Sequence, residues 1–179
     1  LESAMAKYYC TETSWKMCDD VLQVRGGRGY ETAASLRARG EKPIAVEMSM
    51  RNARISRIIE GTSEIMQLFI AREAMDTHVS RVMPILMPRP GQKESKFQAI
   101  MKALKFYAVW YPKTWLAGNQ PTTKHLSQAN VDHLHYIART SKRLARTMFH
   151  SMAKFGPKLE FEQLVLASFV DIGTDLFAM

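Results

Sequence analysis

The sequence predicts an all-α protein: an up-and-down antiparallel helical bundle over residues 1–90 and an additional C-terminal helical region over 91–179. Three observations predict it. Apolar residues recur at three-to-four spacing through every long segment, the period of a helix with one buried face. Glycine and proline fall mostly between those segments, at Gly26-Gly27, Gly40, Pro43, Pro88, Pro90 and Gly156-Pro157. The apolar fraction of 46% and charged fraction of 23% are those of an ordinary globular chain, and no apolar run approaches a membrane span. A chain of 179 residues can bury one sizeable core, here split into two sub-bundles.

Residues 2–22 read as the first helix, with Ala4, Tyr8, Trp15, Cys18, Val21 and Leu22 inward and Lys7, Lys16 and Asp19 between them. Gly26, Gly27 and Gly29 stop it. Residues 33–39 fit a short helix before the loop marked by Gly40 and Pro43, and 44–54 a longer one with Val46, Met50 and Ala53 inward. Residues 62–79 form the next, with an apolar stripe through Ile65, Leu68, Phe69, Arg72 and Met75, and Ala71 allowing close packing. Pro84, Pro88 and Pro90 mark a linker and a boundary near residue 90. Residues 93–116 carry Phe97, Ile100, Leu104, Tyr107 and Ala108 inward, then the aromatic cluster Trp110, Tyr111 and Trp115, with Pro112 expected to kink or end the helix. A loop over 118–123 leads to a long helix over 126–154, striped by Leu134, Ile137, Leu144, Met148 and Met152. The last helix, within 159–179, turns Leu166, Phe169, Val170, Gly173 and Leu176 inward. The 12 methionines read as core filler.

Chemistry concentrates in residues 54–66. The apolar run from Ile55 to Ile59 ends in one carboxylate, Glu60, followed by Gly61, Thr62 and Ser63. Glu64 opens the next helix and complements its dipole, while Thr62 or Ser63 can cap it. Such a helix start offers free N–H groups to an anion. Ile58 and Ile59 are expected to desolvate Glu60 and raise its pKa, making it a better base near neutral pH. A plain helix cap with one acidic loop residue fits the same spacing. No histidine pair stands at metal-binding spacing, because His125, His133 and His135 are irregular, and the chain has no Cys-x-x-Cys, Gly-x-Ser-x-Gly or P-loop. No metal is expected.

The string Ile-Ile-Glu-Gly-Thr-Ser-Glu-Ile-Met-Gln-Leu-Phe-Ile-Ala-Arg-Glu-Ala (58–74) resembles the C-terminal domain of the acyl-CoA dehydrogenase family. Gln23-Val24-Arg25-Gly26-Gly27-Arg28-Gly29-Tyr30 resembles that family's flavin-contacting loop, in the family's order and with a family-like separation. Glu162-Gln163 and the run Asp171 to Met179 resemble its long-chain and very-long-chain branch. The likeness is best over 1–79 and partial over 159–179, while 91–155 match in helical character and basic charge alone. The chain departs from the family pattern at Asn52, where an acid is usual, and at Met48, near a usual basic residue.

The resemblance implies Glu60 as the catalytic base, Gly61 along the acyl-CoA, and Thr62, Ser63 and Glu64 approaching FAD from the helix start. It implies that Gln23 hydrogen-bonds the FAD of a neighbouring subunit in a homodimer. The backbone of Val24, Arg25, Gly26 and Gly27 would approach that cofactor's adenosine diphosphate portion. It also implies an electron-transfer flavoprotein as electron acceptor, and a parent protein longer at both ends, with a helical and a β-rich domain that supply much of both pockets.

Net charge is +8, unevenly spread: residues 91–159 hold 12 Lys and Arg against Glu94 and Asp132. That half could meet an acidic membrane or partner, or be a solvated face. No helix-turn-helix or aromatic RNA motif supports nucleic-acid binding, and none is expected. A non-catalytic basic helical module is the alternative function. Cys10 and Cys18, eight apart on one helix, cannot bridge and read as buried free thiols of a reducing compartment, a bacterial cytoplasm.

Overall fold

A computed structural model describes residues 1–87, 95–116 and 125–179. Among them there are helices and no strand: α1 (Glu2–Arg25), α2 (Gly27–Tyr30), α3 (Ala33–Ala38), α4 (Val46–Ser56), α5 (Ser63–Leu86), α6 (Lys96–Trp115), α7 (Gln128–Phe155), a 3₁₀ helix (Gly156–Phe161) and α8 (Gln163–Ala178). They form two compact units, Leu1–Gln67 and Leu68–Met179. The linker expected at Pro88 and Pro90, and the loop expected over 118–123, lie outside the described residues.

In the first unit α1 and α4 run antiparallel. Their contacts descend in order along α1: Lys7 meets Gly61, Glu12 meets Arg57, Trp15 lies against Arg54 and Arg57, and the Cys18 thiol faces the Ser49 carbonyl. Ala4 of α1 and Val46 and Ala53 of α4 are buried, and Leu36 of α3 is fully buried. The segment after the glycine loop is pinned by ion pairs from Arg28 to Glu41 and from Arg39 to Glu31 and Glu41, at 2.7 to 3.1 Å. Val21, expected inward, is exposed, and so is Cys10; Cys18 is half-buried, and both thiols are free.

In the second unit α6 and α7 are also antiparallel. Tyr111 reaches His150 at 3.0 Å, and further along α6 the Thr114 and Leu116 carbonyls accept from Arg146 and Lys142 of α7. These two cations close the C-terminal end of α6, where carbonyls have no intrahelical partner. Ser95 and Gln98 close the other end in a reciprocal capping box. α8 buries Leu166, Phe169, Val170 and Leu176, as its periodicity predicts, and Gly173 lies beside Leu144 of α7.

Several faces differ from expectation. On α5 the buried residues are Ser63, Ile70, Ala71 and His78, while Ile65, Leu68, Phe69 and Arg72 are exposed. On α6 Ala99, Ala103 and Thr114 are buried, while Phe97, Ile100, Leu104 and Ala108 are exposed. Small residues admit the neighbouring backbone, so the closest packing falls on alanine rather than on the larger apolar stripe. No methionine is buried, so methionine is not the core filler expected. Pro84 and Pro112 sit inside α5 and α6. Each falls within three residues of the C-terminal end of its helix, so the backbone bond it removes lies in the last turn and few helical residues follow it.

His78 is enclosed by Phe106, Tyr107 and Trp110 of α6 and Phe149 of α7, with Nδ1 at 3.1 Å from the Tyr107 hydroxyl. Burial, then the Arg81 charge, holds its pKa below the ordinary 6.5, and burial raises that of Tyr107. The unfolded chain therefore binds a proton that the folded chain refuses. This contribution to stability is complete above about pH 6.5 and is lost as pH drops below that value; in His78→Phe the part of the slope due to the imidazole disappears, as thermal unfolding at stepped pH would show. At Gly29, which is buried, an added Cβ would lie 2.8 Å from the Leu22 carbonyl oxygen. Gly29→Ala is expected to cost about 1–3 kcal/mol, read as a lowered midpoint in the same assay.

Candidate active site

The segment from Arg57 to Ser63 leaves α4 and enters α5 through one tight turn. Glu60 has φ 55° and Gly61 φ 97°. A left-handed conformation at a non-glycine residue costs roughly 1–2 kcal/mol and persists where surroundings enforce it. Here the enforcement is visible. The Ser63 N–H donates to the Arg57 carbonyl at 3.1 Å, closing the turn across its ends. The Glu12 carboxylate accepts from Arg57 Nε at 2.7 Å and from the Ser63 hydroxyl. Lys7 Nζ donates to the Gly61 carbonyl at 2.5 Å. Just past the turn, Gln67 donates to the Tyr8 hydroxyl at 2.7 Å.

Thr62, not Ser63, caps α5: its hydroxyl accepts from the Ile65 N–H at 3.4 Å. Ser63 is buried and committed to Glu12. The Glu64 carboxyl is held below its ordinary value, first by its own backbone N–H, which outweighs the opposing desolvation, and then by Thr62, Arg57 and Arg54. Glu60 is exposed. The desolvation expected from Ile58 and Ile59 is absent from this chain, because both isoleucines are themselves half exposed, at 47% and 50%. Ile55 and Ile65, on either side of the turn in sequence, are exposed as well.

The glycine loop closes the other end of α1. Gly26, at φ 58° and ψ −143°, ends the helix with its N–H on the Gln23 carbonyl. Gln23, Val24, Gly26 and Gly27 are exposed, and open space lies where a Cβ on Gly26 or Gly27 would stand. This backbone can be approached closely by a ligand. The Arg25 Nε is buried without a hydrogen-bond partner. Lys7, which grips the Glu60 turn, and Gln23 are separated by about 24 Å of helix.

Sequence reasoning found Glu60, Gly61 and Thr62 but not Lys7 or Glu12. Their partners lie 54 and 45 residues away, and no local spacing signals such pairs.

Among the described residues no cluster of His, Cys, Asp or Glu could hold a metal, and no helix is long and apolar enough to cross a membrane. The second unit has an open apolar groove of about 340 Å³ between α7 and α8, lined by Ile137, Leu144, Met148 and Leu176 among others, with no ionisable side chain in it.

Comparison with known proteins bears on the same segments. Residues 1–75 match the family model described as acyl-CoA dehydrogenase, C-terminal domain. The chain is 44% identical, over its whole length, to probable acyl-CoA dehydrogenase FadE10 of Mycobacterium tuberculosis, of which it spans 28%. It is 37% identical over 71 residues to the mitochondrial very long-chain specific acyl-CoA dehydrogenases of mouse and human, a match covering 40% of this chain and 9% of each relative. No solved structure matches. The alignment with the mycobacterial relative takes in the basic helices that motif reading left unmatched. The chain belongs to the acyl-CoA dehydrogenase family, and its residues 1–75 are that family's C-terminal domain.

Proposed function

We propose that the chain is part of a flavin-dependent acyl-CoA dehydrogenase that converts acyl-CoA thioesters to trans-2-enoyl-CoA. The observation that carries this reading is Glu60, an exposed carboxylate in an enforced left-handed turn, preceded along the chain by the exposed Ile58 and Ile59 and followed by Gly61-Thr62 at a helix entrance. Bound FAD supplies the hydride acceptor for the β carbon. Glu60 takes the α proton as general base. Gly61 lies along the acyl-CoA, and Thr62, Ser63 and Glu64 face the cofactor from the start of α5. Glu60 lacks a desolvating cover in this chain; the cover comes from acyl-CoA and from the remaining length of a protein built like the relatives, of which this chain spans about a quarter.

Gln23 and the backbone of Val24, Arg25, Gly26 and Gly27 hold FAD as well, but for a second copy. The unobstructed glycines fit such a ligand, and the length of α1 between the two motifs supports a homodimer in which each loop serves the partner's site. Electrons leave to an electron-transfer flavoprotein. The two free thiols suit a reducing, cytoplasmic setting.

A non-catalytic basic module is less well supported. Arg81 stacks on Phe106, and Lys142 and Arg146 are spent on carbonyls of α6. Part of the positive charge thus holds the second unit together rather than standing ready for an acidic membrane or partner.

In the full-length protein, Glu60→Gln is expected to lower acyl-CoA oxidation by on the order of 10²–10⁴-fold while FAD stays bound; near-normal turnover would refute the base. The isolated chain, carrying half of each site, is expected to bind FAD weakly. Titration with FAD followed by flavin fluorescence checks this, and stoichiometric binding would contradict it.

A further inference from the structure

Lys7 and Glu12 of α1 bear on the Glu60 turn without reaching the reacting atoms. The Lys7 ammonium holds the carbonyl of Gly61, the residue next to the carboxylate. Glu12 gathers the side chains at both ends of the turn, Arg57 and Ser63, whose main chains are already joined. Both positions are partly shielded: the side chains of Arg57 and Glu12 are 19% and 29% exposed. Trp15, one turn further along α1, lies between Arg54 and Arg57, each 5.6 Å from its ring centre, and limits how Arg57 can swing. Charge-assisted contacts of this kind fix geometry better than exposed surface pairs do.

We propose that Lys7 and Glu12 are positioning residues for the base: together they hold the 57–63 turn in the left-handed form that sets the direction of the Glu60 carboxylate. The inference rests on Glu60 being the base. It adds that the base's aim is set from α1. Neither residue takes or gives a proton in the reaction. Loosening the turn lets the carboxylate sample wrong directions, and a misplacement of about 1 Å can cost on the order of a hundredfold in rate. The loss falls mainly on kcat, because Lys7 and Glu12 themselves touch neither acyl-CoA nor FAD, and Gly61 and Ser63 are a small part of what binds those two.

The test uses the full-length, FAD-loaded protein with Lys7→Met, Lys7→Arg, Glu12→Gln and Glu60→Gln. Two quantities are read: kinetics with an acyl-CoA, and hydrogen exchange of the amides of residues 60–62. The proposal expects Lys7→Met and Glu12→Gln to lower kcat by on the order of tenfold to a hundredfold. KM, flavin content and melting temperature should stay near the parent's, exchange in the turn should speed up, and Lys7→Arg should restore much of the rate. Unchanged kcat and exchange in Lys7→Met overturn it. A fall in kcat matched by loss of FAD or of global stability in both Lys7→Met and Glu12→Gln also overturns it, since that marks a structural role alone. Full turnover in Glu60→Gln instead defeats the base assignment, and the hold on the turn is then judged by exchange alone.

Discussion

One carboxylate holds the first unit's site together. Glu12 accepts from Arg57 and from Ser63, the residue that ends one helix and the residue that begins the next. An isolated exposed pair contributes little, because water screens it and two side chains lose freedom. This carboxylate is shielded and shared, and it acts on a turn whose backbone is already closed. Its effect is conformational: it selects one shape for seven residues that include a left-handed glutamate. Removing the helix that carries Glu12 would also remove Lys7, Tyr8 and Trp15, so α1 is both the packing partner of α4 and the frame of the turn.

The helices were legible in the sequence; the faces they bury were less so. Periodicity located every long helix to within a few residues, except that α5 runs on through Pro84. It oriented α8 correctly, because Leu166, Phe169, Val170 and Leu176 are large and have a partner within the chain. It misjudged α5 and α6, where Ala71, Ala99 and Ala103 are covered and Leu68, Phe69, Phe97 and Leu104 are not. A hydrophobic stripe reports that a face wants cover, not which molecule supplies it. In a chain that spans about a quarter of its relatives, some cover can come from outside. The candidate site divides the same way. Glu60-Gly61-Thr62 could be read from contiguous residues, whereas Lys7 and Glu12 could not, because side chains that meet across 45 residues or more leave no local pattern.

The second unit shows why net charge is a poor guide to purpose. Its basic helices suggested an acidic partner. Yet Arg146 serves two internal ends at once, donating to the Thr114 carbonyl and lying 4.2 Å from the Trp115 ring centre, and Lys142 takes the next carbonyl. A helix end presents several unpaired carbonyls, and cations from a neighbour are a sound way to satisfy them. The aromatic residues serve a similar internal end, enclosing His78 in surroundings that disfavour its charged form.

The length of α1 then constrains how a complete site can be built. About 24 Å of helix separates its glycine end from its lysine end, and on the proposed reading the two motifs serve different copies. Placing them in different copies makes the helix a spacer between two equivalent sites, each needing the turn of one chain and the loop of another. Such an arrangement couples assembly to cofactor retention. On that reading the open backbone at Gly26 and Gly27 has a use, since a surface that accepts a ligand held mainly by another subunit does best with few side chains in the way.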